Sequence, residues 1–439
     1  MLFSKYNFIY KKDNGIFLYN ALSNAMMEIS DDLYQVLMKK DVSQKDFENE
    51  DPELVKVLKE AKVLVEDDET EFLKLKRMVF ERRYSPFYAS FTILPTLNCN
   101  FACPYCFETK KNISLSSQSI NSIAKFINSL TKNIDSYHIT WFGGEPLMAA
   151  AKMKKLYDSL KKDDKKIVSS IITNGFLLSE KNISILKEMN ISEIQITLDG
   201  TEETHNNRKK LAVPSHINVF KKTIDNINKL SDAGFANITL RINVDKNNKD
   251  EFIPLREMLV KQVSNFGKRV FIAPAFIEET ESNKCDNEVI CHLSNKQKDD
   301  FMMQLVRDYR YLHPSIYPGN MLYECPIRCN NSWVINPDAS LYKCWEVVGD
   351  EKYKVGYLDK DGVPCITNEK ILLRYLEGAD PLEDIQCSEC GFYPACGGGC
   401  IHKRLLNKYS GTTYNTCIYA KNNTEKFIKI YSDYAKGNH

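Results

Sequence analysis

No stretch of this sequence is apolar for long enough to cross a membrane. A membrane-spanning helix needs about 20 consecutive apolar residues, and no run in the 439 residues approaches that length. The N-terminal stretch MLFSKYNFIYKKDNG has charged and polar side chains where a signal peptide needs an apolar core. We therefore expect a cytoplasmic protein with no membrane partner.

The sequence also lacks an excess of either charge. Lysine and arginine total 59 against 58 for aspartate and glutamate, and no long basic block interrupts the mixed pattern. Nucleic-acid-binding proteins commonly have a basic patch, so we expect no nucleic-acid partner. Hydrophobic residues make up 43% of the chain, which is typical of a globular protein, and the length predicts two or three packed domains.

Cysteine is missing from long parts of the chain. None of the 14 cysteines occurs before Cys99 or between Cys106 and Cys285, and most of them lie in the last third. A reducing cytosol keeps thiols unpaired, and a chain of this length needs no disulfides to fold. Metal ligation is therefore the leading interpretation of the cysteine groups.

Strand and helix patterns predict the organisation of the first two thirds. Residues 1–85 combine short strand patterns (NFIYKK, GIFLYN, AMMEIS, VLVED) with helical ones (DDLYQVLMKK, DPELVKVLKEA), which is typical of a winged-helix-like α+β domain. In residues 86–277, helical segments separate six strand patterns: YASFTIL, HITWF, KIVSSIIT, EIQITL, NITLRINV and RVFIAPAF. This alternation predicts an α/β fold with a parallel sheet, either doubly wound or curled into a barrel.

The last third has a different character. Residues 278–324 form a bridging region with one predicted helix around KQKDDFMMQLVRDYRYL, and residues 325–439 are rich in cysteine and glycine with little periodicity. We predict a loop-rich domain there that depends on metal for its order, because metal binding can supply folding free energy that a small core lacks.

The first cysteine group follows the first predicted strand of the sheet. Cys99, Cys103 and Cys106 lie in the CxxxCxxC loop LPTLNCNFACPYCFE, at the edge where parallel-sheet enzymes place their active sites. A [4Fe–4S] cluster takes four ligands, so three thiolates would leave one iron open to a small chelating molecule. A structural zinc knuckle is the alternative.

This loop resembles that of the radical S-adenosylmethionine (SAM) superfamily. The aromatic Tyr105 before the last cysteine is shared with the family. In WFGGEPL, after the second strand, Gly143, Gly144 and Glu145 match the family's GGE motif. The resemblance implies a partial (β/α)6, TIM-like barrel, a [4Fe–4S] cluster that coordinates SAM, and contact of the GGE motif with the SAM amino group.

Other strand ends match the same family less specifically. Groups near the SAM ribose, the SAM carboxylate and the substrate are implied at Ser170, Asp199, Arg241 and Asn243. The alternatives are strand-end capping for Ser170 and Asp199, and a helix-start carboxylate for Glu145. The implied mechanism is reductive cleavage of SAM to a 5′-deoxyadenosyl radical, which abstracts hydrogen from the substrate. The pattern identifies no catalytic side chain.

The cysteines of the last third resemble the SPASM extension of radical SAM enzymes that modify peptides and proteins. Their spacing is Cys-x3-Cys-x14-Cys, then Cys-x2-Cys-x5-Cys-x3-Cys-x16-Cys. The resemblance implies two auxiliary clusters, and thus three [4Fe–4S] clusters in all. The inner auxiliary cluster would have the ligands Cys325, Cys329, Cys344 and Cys400. The outer auxiliary cluster would have the ligands Cys387, Cys390, Cys396 and Cys417.

Some features depart from the SPASM pattern. The family's glycine five positions before Cys344 is Ala339 here, and Trp345 follows Cys344 where anaerobic sulfatase maturases keep a catalytic aspartate. The tryptophan argues against sulfatase maturation. A four-thiolate zinc site is the alternative for part of the tail, with the ligands Cys387, Cys390, Cys396 and Cys400. The pattern leaves over Cys285, Cys291 and Cys365.

The N-terminal domain indicates the substrate class. A winged-helix-like unit ahead of these two domains resembles the recognition element of enzymes that modify ribosomally made peptides, in which the precursor's leader adds as a strand to the sheet edge. NFIYKK and GIFLYN would offer that edge. A structural or dimerising role is the alternative, and DNA binding is disfavoured by acidic residues that include Asp31, Asp32, Glu48, Glu50 and Asp51.

Together these features predict a radical SAM oxidoreductase that matures a ribosomally synthesised precursor peptide. We expect an intramolecular crosslink, thioether first and C–C or C–O next, with a flavodoxin or ferredoxin-type protein as electron donor. Two other classes stay open. One is a maturase of a folded enzyme, either sulfatase-maturase-like or cofactor-installing, and the other is a non-catalytic iron–sulfur electron carrier.

Overall fold

The computed structural model describes residues 1–12, 15–39, 46, 52–160, 165–280, 291–311, 319 and 325–435. Within these ranges, no helix is both long and apolar enough to span a membrane. The chain forms two compact units. The first unit comprises Met1–Ser85, Ser294–Asn330 and Arg374–His439, and the second comprises Pro86–Leu293 and Asn331–Leu373. The Cys-rich region predicted over residues 325–439 is therefore divided between the two units.

The strands are numbered in chain order. They are β1 (Leu2–Phe3), β2 (Asn7–Lys12), β3 (Gly15–Asn20), β4 (Met26–Ile29), β5 (Leu64–Val65), β6 (Ser90–Ile93), β7 (Ser136–Trp141), β8 (Lys166–Thr173), β9 (Ile191–Leu198), β10 (Asn237–Val244), β11 (Val270–Phe276), β12 (Ser332–Ile335), β13 (Ser340–Tyr342), β14 (Gly356–Leu358) and β15 (Pro364–Ile366).

The helices follow the same convention. They are α1 (Asp31–Leu37), α2 (Pro52–Glu60), α3 (Asp68–Arg83), α4 (Ser117–Leu130), α5 (Ala150–Leu160), α6 (Glu180–Glu188), α7 (Glu202–Arg208), α8 (Val219–Asp232), α9 (Phe252–Gln262), α10 (Asn295–Tyr309), α11 (Glu369–Leu373), α12 (Ile385–Ser388), α13 (Tyr393–Cys396), α14 (Ile401–Ser410) and α15 (Thr424–Ala435).

A ten-stranded sheet forms the centre of the second unit. Strands β6 to β11 pair in parallel and in chain order. This is the singly wound arrangement of a partial barrel, because a doubly wound sheet reverses its strand order at one point. Apolar residues alternate along the strands, so that Ile194, Ile196 and Leu198 of β9 are buried. The predicted α/β fold is confirmed.

Four short strands extend this sheet beyond β6. Strand β12 pairs in parallel with β6, and β13, β14 and β15 continue the sheet in antiparallel pairs. The sequence predicted only loops here. Because each of these strands has three or four residues, none is long enough to show a clear alternation of apolar and polar side chains.

The N-terminal part of the first unit contains the predicted winged-helix-like elements. Strands β2, β3 and β4 form an antiparallel sheet in that order. Its core includes Leu18 of β3, Leu33 of α1 and Leu58 of α2. The prediction that GIFLYN offers a sheet edge is wrong, because this segment is the central strand β3. The edge strands are β2, as predicted, and β4.

Helix α3 is a further element of the first unit, which the sequence pattern did not predict. Asp67 caps its N-terminus by accepting a hydrogen bond from the Thr70 amide. At its C-terminus, Arg83 donates to Asp380 Oδ2 over 2.6 Å, and Arg328 lies 3.0 Å from the same oxygen. All three charged side chains are buried, so the helix is tied to the tail by a desolvated ion-pair network.

Candidate functional site

The CxxxCxxC loop of the second unit is held in place by backbone hydrogen bonds. The Ala102 amide donates to the Lys210 carbonyl over 2.7 Å, and the Ala212 amide donates to the Asn100 carbonyl over 2.9 Å. Between these bonds, Phe101 is buried in an apolar cluster against which Cys99 and Cys103 pack. The loop conformation is therefore fixed by the protein itself at the carboxyl end of β6.

The two glycines of the GGE motif bring a second loop against this one. The Gly144 amide donates to the Thr96 carbonyl over 3.2 Å, and the Glu145 amide donates to the Asn98 carbonyl over 2.8 Å. A Cβ atom on Gly144 would lie 2.3 Å from the Asn98 carbonyl oxygen, and Gly143 has a φ of +111°. Only glycine permits this approach, so the motif positions the chain just before Cys99.

The three thiols of the loop are partly buried. Burial raises the pKa of the Cys99 thiol to about 12 and also raises the pKa of Cys106, and a negative charge on Cys103 adds to both shifts. Metal ligation requires thiolates. Iron binding here would therefore displace protons and should strengthen as pH rises.

The spacing of possible ligands bears on the type of metal centre. Among the described residues, no three His, Cys, Asp or Glu side chains converge on a single-ion site. A zinc ion needs its ligands around one point. In a cluster with one cysteine per iron the thiolates are spread over several metal ions.

The Glu145 side chain is engaged by the protein itself. Its Oε1 accepts from the Leu147 amide and the Thr173 hydroxyl, and its Oε2 accepts from the Asn174 amide over 2.9 Å. The residue is fully buried, and burial raises its pKa although these hydrogen bonds oppose the shift. Glu145 is thus the N-cap of the 3₁₀ turn Pro146–Ala149, and its contact with SAM stays a prediction.

Three of the predicted SAM-site residues belong to one buried network. Asp199 Oδ2 accepts from the Tyr105 hydroxyl over 2.5 Å, and Asp199 Oδ1 accepts from the Asn243 amide over 3.1 Å. Arg241 donates to Asn243 Oδ1 over 3.3 Å. The network therefore links the ends of β9 and β10 to the cysteine loop through Tyr105.

Lys209 completes this network, although nothing in the sequence pattern indicated it. Its Nζ lies 3.7 Å from Asp199 Oδ2 and 5.3 Å from the centre of the Tyr105 ring. Burial opposes the charged form, but Asp199 and the three loop thiols raise the pKa of Lys209 above its usual value. A buried cation therefore faces the candidate cluster ligands.

Glu108 is a titratable residue close to the last cysteine of the loop. Glu108 follows Cys106 by two positions, and burial raises its pKa to about 7. Its Oε2 has no hydrogen-bond partner within the described residues.

Ser170 lies three residues before the end of β8, where its hydroxyl shares a hydrogen bond of 3.1 Å with Thr140. Ser170 is thus a mid-strand residue rather than a strand-end one.

Four cysteines of the first unit line a single small cavity. They are the predicted ligands of the outer cluster, Cys387, Cys390, Cys396 and Cys417. The predicted zinc alternative required Cys400 in place of Cys417. Cys417 lines the cavity, and Cys400 is not among its lining residues.

The ligands predicted for the inner cluster are distributed differently. Cys325 and Cys329 flank a short 3₁₀ turn, Cys400 directly precedes α14, and all three belong to the first unit. Cys344 belongs to the second unit and follows β13.

The backbone conformation of Ala339 explains why a glycine is expected at this position. It has a φ of +66°, in the left-handed region, where a non-glycine residue costs roughly 1–2 kcal/mol. The Leu358 amide donates to the Ala339 carbonyl over 2.9 Å, which ties this turn to β14. The substitution is tolerated at some cost in stability.

The leftover cysteines have separate surroundings. Cys285 lies outside the described residues. The Cys291 amide donates to Asp245 over 3.3 Å, and Cys365 lies on β15 opposite Tyr357 of β14. Neither cysteine lines the cavity around the outer-cluster ligands.

Comparison with known proteins places the cysteine loop within a recognised domain. Residues 93–259 match the model of the Radical SAM superfamily. The cysteine-type anaerobic sulfatase-maturating enzyme of Clostridium novyi (strain NT) is 26% identical over 360 residues, which cover 77% of this chain and 95% of that protein. The radical SAM cyclopropyl synthase TigE of Paramaledivibacter caminithermalis is 27% identical over 255 residues, or 48% of this chain and 54% of that protein.

Two solved structures share the fold. Native anSMEcpe with bound AdoMet aligns with a TM-score of 0.60 at 18% identity, covering 80% of this chain and 97% of that one. Streptococcus suis SuiB bound to the precursor peptide SuiA aligns with a TM-score of 0.51 at 15% identity, covering 91% of this chain and 96% of that one.

Proposed function

We propose that this chain, a radical SAM enzyme by the domain at residues 93–259, is a cytoplasmic peptide maturase that forms an intramolecular crosslink in a ribosomally made precursor. The observation that carries the proposal is the CxxxCxxC loop, which backbone hydrogen bonds fix at the carboxyl end of six parallel strands. A thioether is the favoured product, and a C–C or C–O crosslink comes next.

The residues of the loop fit a [4Fe–4S] cluster with SAM. Cys99, Cys103 and Cys106 provide three thiols, of which Cys103 lies close enough to add to the raised pKa of the other two, and a fourth coordination position stays available. When bound, the cluster and SAM supply an electron and a 5′-deoxyadenosyl radical that removes hydrogen from a substrate. The buried Lys209 offsets the negative charge that three thiolates bring into the site.

The network around Asp199 orients this part of the site. Asp199 holds Tyr105 at the cysteine loop and Asn243 at the end of β10, and Asn243 in turn accepts from Arg241. Because these side chains are linked and largely buried, they present a fixed polar surface to the ribose and carboxylate of SAM. The GGE loop closes the site from the neighbouring strand.

Two auxiliary [4Fe–4S] clusters are part of the proposal. Support for the outer cluster comes from the cavity that Cys387, Cys390, Cys396 and Cys417 line. The inner cluster rests on the SPASM spacing of Cys325, Cys329, Cys344 and Cys400. Full ligation by cysteine suits an electron-transfer role, for which a flavodoxin or ferredoxin-type protein would be the donor.

The N-terminal sheet supports a peptide substrate. Strands β2 and β4 are its edges, and an added strand pairs with an edge through main-chain hydrogen bonds. Helix α15 packs against β2, and Phe8 of β2 contacts Phe392 edge-to-face at 6.0 Å. Strand β4 has an exposed Glu28 and is the edge we favour for a leader peptide. SuiB, which shares the fold, was crystallised with its precursor peptide.

Maturation of a sulfatase is a second candidate, favoured by the match to 95% of the Clostridium novyi enzyme. Trp345 argues against it. This side chain takes the place of the aspartate that sulfatase maturases keep, and its ring packs at 5.3 Å on Phe142, the residue before Gly143. An aromatic side chain beside the GGE loop cannot act as the required base.

A comparison of two candidate substrates tests the proposal. The reconstituted protein is incubated with SAM, dithionite and either a small peptide encoded beside its gene or a cysteine peptide derived from a sulfatase. We expect 5′-deoxyadenosine formation to rise with the first peptide, which loses two hydrogen atoms by mass spectrometry, and Cys103→Ala to abolish both signals. Modification of the sulfatase peptide alone would instead establish the second candidate.

The leader requires its own control. Removal of the leader from the precursor should raise the KM of the peptide and leave SAM cleavage in the absence of peptide unchanged. An unchanged KM would show that the N-terminal domain has another role.

A further inference from the structure

Arg404 of α14 reaches into the cavity lined by the outer-cluster cysteines. Its Nη2 donates to Cys387 Sγ over 2.6 Å, and its Nη1 donates to Asp384 Oδ2 over 2.8 Å. Its Nε donates to the Gly398 carbonyl over 2.5 Å. Three partners therefore fix the guanidinium in one orientation, with one edge directed at a thiol.

Lys421, which follows α14 in the chain, lies beside the same cavity. Its Nζ lies 3.7 Å from Cys417 Sγ, and both Lys421 and Arg404 line the cavity. Two of the four thiols thus have a cationic side chain beside them. The Cys396 sulfur also accepts backbone hydrogen bonds from Gly398 and Ile418, so donors surround most of the thiols.

The buried position of Arg404 requires negatively charged partners. Its side chain is 10% exposed, and burying a cation is costly unless it is paired and hydrogen-bonded. Asp384 is one partner, and the guanidinium keeps its charge at all accessible pH values. A thiolate at Cys387 supplies a second negative partner, so the cation is better compensated when the cysteine is a metal ligand.

We propose that Arg404 and Lys421 set the reduction potential of the outer auxiliary cluster by donating hydrogen bonds and positive charge to the sulfurs of Cys387 and Cys417. This inference rests on the proposed function, which assigns that cluster to these cysteines. Reduction adds one negative charge to the cluster. Nearby cations and N–H···S hydrogen bonds stabilise the reduced form and therefore raise the potential.

A potentiometric titration followed by electron paramagnetic resonance tests the inference on the full-length, anaerobically reconstituted protein. The outer-cluster signal is identified by its loss in Cys396→Ala. Arg404→Gln removes the positive charge, so we expect the midpoint potential of the outer cluster to move to more negative values. Arg404→Lys, which keeps the charge, should restore part of the shift.

Further variants separate electrostatic tuning from a structural role. Lys421→Met should lower the midpoint by less than Arg404→Gln, because the Lys421 contact is longer. Asp384→Asn removes a nearby negative charge and should raise the midpoint. Lys408→Met, a change at an exposed residue on the same helix, is the matched control and should leave it unchanged.

The possible failures are distinguishable. A midpoint that does not move in Arg404→Gln or Lys421→Met, with the cluster intact, overturns the tuning role and leaves the cluster assignment standing. If Arg404→Gln does not retain the cluster, Lys421→Met and Asp384→Asn decide the outcome by the signs of their shifts. If the wild type has no signal that Cys396→Ala removes, both the cluster assignment and the inference are wrong.

Discussion

The two cysteine-bearing regions of this molecule are built in opposite ways. The CxxxCxxC loop follows a strand of a large sheet and is fixed by backbone hydrogen bonds before any metal is considered. The cavity of the outer-cluster cysteines lies among helices of four residues, α12 and α13, and the three successive glycines Gly397 to Gly399, all with positive φ. In the first region the fold creates the site, whereas in the second the metal should stabilise the fold.

Removal of one cysteine from each region is the strongest test of this difference. Cys103→Ala should reduce 5′-deoxyadenosine formation to the level of an enzyme-free control, with the fold retained because the sheet has its own core. Cys396→Ala should leave SAM cleavage measurable but make the tail sensitive to protease, because metal binding contributes folding free energy. Circular dichroism and limited proteolysis check both. Equal protease sensitivity of the two variants would show that the two regions do not differ in their dependence on metal.

The ion-pair network of Arg83, Arg328 and Asp380 is a metal-independent support of the tail. Asp380→Asn leaves two buried guanidinium groups without their carboxylate, which should lower the free energy of unfolding by about 3–5 kcal/mol. Asp308→Asn, at an exposed ion pair with Arg307 in the same unit, should change it by less than about 1 kcal/mol. Denaturant unfolding of both variants gives the values, and similar losses would show that burial of the network does not matter.

The sheet region should have its own pH dependence through His205. This side chain is fully buried beside Asp199 and Phe220, and burial lowers its pKa from 6.5 to about 4. Because the folded-state pKa is depressed, its stabilising contribution is complete above pH 6.5 and is lost as pH falls. Between pH 7 and 5 the wild type should lose about 2 kcal/mol that His205→Gln does not lose. Parallel pH profiles of the two proteins would contradict this assignment.

The smallest expected effect concerns Ala339. Replacement by glycine removes the cost of a left-handed conformation and should raise the free energy of unfolding by about 1 kcal/mol. A thermal melt compares the variant with Ala395→Gly, in which a buried residue at φ below zero on α13 is changed and stability should fall. A lower stability for Ala339→Gly would mean that lost contacts of its methyl group outweigh the relief of strain.

The sequence predicted the regular parts of the fold well and its irregular parts poorly. The segments KIVSSIIT and NITLRINV are β8 and β10 residue for residue, because both are rich in β-branched side chains, which favour strands. Helix α3 was not predicted because charged residues are spread along its whole length. Two of these residues, Glu71 and Arg83, are nevertheless buried by tertiary partners. No local pattern records such partners.

At the site, spacing predicted the cysteines but not what surrounds them. Lys209 follows the end of α7 rather than a strand, so its approach to Asp199 and Tyr105 depends on the tertiary fold. The motif match predicted that Glu145 lies at the cofactor, but it did not predict the hydrogen bonds that the Glu145 carboxylate accepts from the Leu147 and Asn174 amides. Arg404 is 17 positions from Cys387, a separation without meaning in the sequence.

Radical SAM chemistry with three clusters is tested by the yield of 5′-deoxyadenosine from SAM under dithionite, together with iron, sulfide and zinc per chain, on the anaerobically reconstituted protein. We expect SAM cleavage and about twelve irons, the content of three [4Fe–4S] clusters. About four irons with zinc would contradict the auxiliary clusters, and the absence of 5′-deoxyadenosine would contradict the radical mechanism itself.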